Sequence, residues 1–61
     1  MAHRTFADIG DLPAEWVDQY SLHQKAAFKN AYNRAIEKGK ATDQAVREAH
    51  IAARQAGDTH R

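Results

Sequence analysis

Four histidines, His3, His23, His50 and His60, are the side chains of this 61-residue chain that metal or acid-base chemistry would recruit first. Their spacing gives a metal little to hold. No two stand four apart on a helical repeat, and neither cysteine nor a carboxylate group at ligand spacing joins them. If Met1 is retained, His3 lies third from a free amine, an arrangement that can wrap Cu(II) or Ni(II) in planar nitrogen; Ala2 favours removal of Met1. Catalysis needs a nucleophile, or an acid and a base, held together in a sheltered cleft. Ser21 is accounted for as a helix cap, and Asp8, Asp11, Glu15 and Asp18 read as solvated or capping acids. The expectation is a chain without catalytic residues, cofactor or metal.

Charge suggests binding chemistry instead. The formal net charge of +1 hides a division along the chain. Residues 1 to 20 set Arg4 against Asp8, Asp11, Glu15 and Asp18, a net −3, whereas the next twenty set Lys25, Lys29, Arg34, Lys38 and Lys40 against Glu37, a net +4. The division predicts that the acidic first segment lies near the basic middle one, with an anionic ligand as the other use of the cations. Lys25, Lys29, Arg34, Lys38, Lys40, Arg47 and Arg54 are the candidate face for an anionic partner, nucleic acid phosphate included. The sequence pI of 8.2 falls short of the value of about 9 expected of a committed nucleic-acid domain.

These groups must be positioned by a few helices. Sixty-one residues allow one core, so residues 1 to 61 are read as a single small domain in which 1–8 and 58–61 fray. Proline and glycine fall where helices would begin and end. Asp11 is placed to cap and Pro13 to occupy a first turn, predicting a short helix over 13–19 with Leu12, Trp16, Val17 and Tyr20 on its apolar edge. Ser21-Leu22-His23-Gln24 is a capping box that opens a second helix over 22–38. Phe28, Ala31, Tyr32, Ala35 and Ile36 mark its buried stripe, and Gly39 is its left-handed stop. Thr42 is placed to cap a third helix over 43–56, ended by Gly57.

Ala27, Ala31 and Ala35 form one ridge at four-residue spacing, and Ala45, Ala49 and Ala53 form another. Side chains that small let two helices approach near the short end of the usual ~8 to 10 Å. The predicted fold class is therefore all-α: a close antiparallel alanine-rich pair braced by the short first helix, with Trp16, Phe28, Tyr32 and Ile36 clustered at the brace.

Asp11-Leu12-Pro13, then Ala27-Phe28-Lys29-Asn30-Ala31-Tyr32-Asn33-Arg34-Ala35-Ile36-Glu37, then Ala45, Ala49-His50, Ala52-Ala53-Arg54 resemble the ChaB family of cation transport regulators. The resemblance spans roughly residues 11 to 54. It departs at His50, where family members usually carry an aromatic, and at Ala53, where they carry a larger aliphatic. What it implies is a small non-enzymatic regulator working through protein contact, on a cation antiporter in bacteria.

Two further surfaces bear on partners. With the third helix buried through Ala45, Ala49 and Ala52, Ile51 points off the buried face; Tyr20, Leu22, His50 and Ile51 are the candidate apolar docking groups, for a foreign protein or a homodimer. Ala35-x-x-x-Gly39 and the helix opening at Thr42 also suggest a helix-turn-helix that offers Gln44, Arg47 and Arg54 to a DNA groove, though Lys40 and Glu48 occupy positions that motif usually fills with apolar groups. No apolar run approaches the ~18 residues of a membrane span, and Met1-Ala2-His3-Arg4-Thr5 lacks the apolar core of a secretion signal. Without cysteine, the chain is expected to be cytoplasmic and not membrane-inserted.

Overall fold

The computed structural model describes residues 5–58, so His3, Arg4, His60, Arg61 and the readings placed on them lie outside the described residues. A 3-10 turn, Ile9–Asp11, leads to three helices: α1 (Ala14–Val17), α2 (Leu22–Glu37) and α3 (Thr42–Asp58). The two long helices pack antiparallel. Gln24 near the start of α2 meets Ala53 near the end of α3, and Phe28 meets His50 one turn further in.

Local chemistry sets the boundaries of α2. Ser21 and Gln24 form a reciprocal cap, in which the Gln24 N–H donates to Ser21 Oγ at 3.3 Å and the Ser21 N–H donates to Gln24 Oε1 at 3.1 Å. At the other end Gly39 takes φ +88°. The Gly39 N–H donates to the Ile36 carbonyl and the Lys40 N–H to the Ala35 carbonyl, at 2.9 and 3.1 Å. That pair of bonds is a Schellman stop, and it reverses the chain within four residues.

Three boundaries differ from the sequence reading. The first helix is a single turn, because Asp11 belongs to the preceding 3-10 turn, Pro13 stands at the cap position without a side-chain bond, and turns follow Val17. Thr42 is the first residue inside α3, and the carbonyl of Ala41 before it accepts from the Ala45 N–H at 2.9 Å. Gly57 lies within α3 instead of ending it. Its missing side chain leaves space for the Gln24 carboxamide: a Cβ there would come within 3.0 Å of Gln24 Cδ and closer still to Nε2.

The core follows from the alanine pattern. Ala45, Ala49 and Ala53 are all wholly buried and Ala35 nearly so, and Phe28 is the one large side chain with no exposure. Ala52 is only half-buried, so the inward stripe of α3 is centred on Ala49 and Ala53 and turned toward Val46 and His50. Leu12 and Val17 seal the open side of the hairpin. Trp16 packs between Phe28 and Tyr32, with ring centroids 6.1 and 5.9 Å away, as expected of the brace.

One brace was not foreseen. Phe6 stacks on Tyr32 at 5.1 Å and stands edge-on to Trp16 at 6.3 Å. It is anchored by Asn33, whose Oδ1 accepts from the Phe6 N–H at 2.8 Å and whose Nδ2 donates to the Phe6 carbonyl at 2.7 Å. A carboxamide offers a donor and an acceptor side by side, so it pairs with a peptide group as a neighbouring strand would.

Candidate interaction surface

The groups considered for catalysis are tied to structure or spread over the surface. Ser21 Oγ is engaged by the cap, and Asp8, Asp11, Glu15 and Asp18 are all exposed along the N-terminal arm. Among the described residues no group of three or more His, Cys, Asp or Glu is gathered as metal ligands would be. Clefts indent the surface of the described residues. One of about 440 Å³ lies between Ser21, His23, Gln24, Ala56 and Gly57, and one of about 350 Å³ is lined by Thr5, Phe6, Ala7 and Asp11. The first carries Ser21 and His23 and the second Thr5 and Asp11, but among the described residues no hydrogen bond joins either pair, and Ser21 Oγ accepts from the Gln24 N–H.

Helical geometry divides the cations. At 3.6 residues per turn, Lys25 and Lys29 share one edge of α2, while Arg34 and Lys38 share the edge roughly opposite. Lys25 and Lys29 are half-buried and Arg34 and Lys38 exposed. Lys40 is committed within the molecule. Its Nζ lies 2.7 Å from Glu48 Oε2, the one ion pair among the described residues, and Gln44 Nε2 donates to the same oxygen at 3.2 Å. The Lys40 hydrogen bond, opposed by some burial and helped by the charge of Lys40, the Gln44 bond and the charge of Lys38, holds the Glu48 carboxyl below its ordinary pKa.

Among the described residues, the acidic arm and the basic middle segment are not joined by ion pairs. What fixes the arm to α2 is aromatic packing and the Phe6–Asn33 bonds, so its four carboxylates remain turned to solvent.

Arg47 and Arg54 are different. Both are exposed on α3, and neither has a hydrogen-bond or ion-pair partner among the described residues. They stand two helical turns apart on the side away from the buried Ala45, Ala49 and Ala53, with Ile51 between them. Ile51 is 47% exposed. The outer face of α3 thus carries an apolar group flanked by two cations that form no ion pair among the described residues, with exposed Asp43 one turn before Arg47.

The apolar candidates do not gather into one patch. Tyr20 and His50 are part-buried against each other, the hydroxyl 2.7 Å from His50 Nδ1, and the imidazole stands edge-on to Phe28 at 5.0 Å. Leu22, 72% exposed, opens α2, and Ile51 faces away from that helix. The helix-turn-helix geometry is also not met. That motif crosses its helices at about 90–120°, whereas α2 and α3 lie alongside each other for most of their length.

Sequence reasoning identified Arg47, Ile51 and Arg54 but set them in separate groups. Their common face was available from the four- and seven-residue spacing alone. The Lys40–Glu48 pair had a signal as well, since both residues are charged at positions a helix-turn-helix would keep apolar. Comparison with known protein families, curated proteins and solved structures finds no match to this chain. Among the described residues no helix is long and apolar enough to cross a membrane.

Proposed function

We propose that this chain is a non-enzymatic, cytoplasmic, ChaB-like regulator that acts by docking on a partner protein through the outer face of α3. The observation that carries this reading is the exposed Ile51 set between Arg47 and Arg54 on a helix whose opposite side is wholly buried. Exposed apolar surface bounded by unpaired arginine is the composition of interface centres, where arginine is enriched and lysine depleted. The chemistry calls for a protein surface bearing carboxylates around an apolar slot. The resemblance to the ChaB family makes the cytoplasmic segments of a cation antiporter the first candidates. Titrating such segments against isotopically labelled chain should shift the amides of Arg47, Ile51 and Arg54; failure of every segment to perturb any amide counts against the reading.

A second reading places the same face on duplex DNA, favoured by Gln44, Arg47 and Arg54 lying exposed on one helix. It is the weaker one, because the cations of α2 lie on opposite edges and do not extend the α3 surface into a continuous basic track. It requires duplex binding that falls steeply with salt; no retention at about 50 mM salt removes it.

A further inference from the structure

The N-terminal arm and α3 carry complementary surfaces that one copy of the chain leaves unsatisfied. Residues 5–20 contain no basic side chain and expose Asp8, Asp11, Glu15 and Asp18, none paired among the described residues. Asp11 ends the 3-10 turn and Asp18 follows α1, with exposed Ala14 and Glu15 between them. On α3, Arg47 and Arg54 stand two helical turns apart with exposed Ile51 between, and exposed Asp43 precedes Arg47 by one turn. Within one molecule the two sets form no ion pair, since the arm is fixed on α2 by Phe6, Trp16 and Asn33.

We propose that a second copy of this chain docks its acidic arm on the outer face of α3, carboxylates meeting Arg47 and Arg54 and the small Ala14 leaving room for Ile51. The proposal rests on the outer face of α3 being a docking surface, as argued above, and names an occupant for it. Two copies can satisfy the contact reciprocally about a two-fold axis, an isologous arrangement, or one after another in a chain, a heterologous one. A contact of this few side chains buries less than the ~800 Å² per partner of a stable complex. The association is therefore weak, and charge governs it. Exposed charges are screened over about 10 Å at 0.1 M salt and about 3 Å at 1 M, so salt dissolves it.

Sedimentation equilibrium of the full chain tests this directly. At low salt the weight-average mass should rise above the 6.8 kDa monomer with concentration and return to the monomer value in concentrated salt. The double variants Asp11→Lys/Glu15→Lys and Arg47→Glu/Arg54→Glu alter only exposed residues, and far-UV circular dichroism establishes that each folds. Each alone should associate at least about tenfold more weakly than the native chain, and an equimolar mixture should associate again because the two introduced lysines then meet the two introduced glutamates. A native chain monomeric at every salt concentration overturns the proposal, as does a mixture that regains nothing. If the native chain is monomeric while an antiporter segment still shifts the Arg47, Ile51 and Arg54 amides, self-docking fails and the docking face stands. Silence in both experiments removes the face itself.

Discussion

The side chain of Gln24 occupies the space that Gly57 leaves by having none: its Nε2 donates to the Ala53 carbonyl at 3.1 Å, directly beneath the glycine. The same carboxamide closes the Ser21 capping box through Oε1. One residue thus ties the start of α2 to the last turns of α3.

Gly57→Ala should lose its usual benefit for that reason. Alanine in place of helical glycine is ordinarily worth about 0.5–1 kcal/mol, but here the new methyl displaces Gln24 and forfeits a hydrogen bond of about 1 kcal/mol. The substitution should be neutral or destabilising in the native chain and stabilising in a Gln24→Ala background. Thermal melts of the four chains in this double-mutant cycle give the coupling; additive effects contradict the contact.

Asn33→Ala removes both bonds to Phe6 and frees its ring from Tyr32 and Trp16. A loss of about 1–2 kcal/mol is expected, which for a domain of this size lowers the melting temperature by several degrees. Tryptophan emission should shift to the red in the folded state as Trp16 loses cover. A lower melting temperature with unchanged emission would mean that Phe6 does not shield the indole.

Tyr20 and His50 form a polar pair at the edge of the core, where partners are worth most when both are present. Tyr20→Phe leaves His50 Nδ1 without its hydroxyl and should cost about 1 kcal/mol, whereas Tyr20→Phe/His50→Phe should recover most of that by replacing both partners with apolar rings. Equal melting temperatures for the single variant and the native chain count against the bond.

The Lys40–Glu48 pair gives a pH dependence of known sign. Lys40, chiefly by its hydrogen bond, makes the folded-state pKa of Glu48 lower than the unfolded one. Its stabilisation is therefore complete above the unfolded carboxylate value of about 4.3 and is lost as pH falls through the lower folded value. Glu48→Gln should lower the melting temperature at neutral pH and progressively less in acid, the two curves converging below about pH 4. Both side chains are about a third exposed, so the effect is small and salt should reduce it. A gap that widens in acid contradicts the assignment.

The backbone plan was readable because it rests on local signals. Ser21 and Gln24 sit at cap spacing, Gly39 follows the last apolar position of α2, and Ala45, Ala49 and Ala53 recur every four residues. Helix bounds came within a few residues, except where local and distant demands compete. Gly57 looks like a stop until Gln24, 33 positions earlier, is known to need the space. Phe6 could not be placed by periodicity, since nothing near it in sequence marks Asn33 as its anchor. The candidate surface was legible residue by residue; what the sequence withheld was the pairing that takes Lys40, Tyr20 and His50 out of it. Once Glu48 engages Lys40, and Tyr20 engages His50, the cations and apolar groups still free on α3 are Arg47, Ile51 and Arg54.

That face is the central claim, and the affinity for an acidic antiporter segment of the native chain against Arg47→Glu/Ile51→Ser/Arg54→Glu tests it most directly. All three positions are exposed, so circular dichroism and melting temperature should be close to native. The docking account predicts an affinity loss of at least about tenfold, some 1.4 kcal/mol, in the folded variant. Native-strength binding by that variant contradicts it.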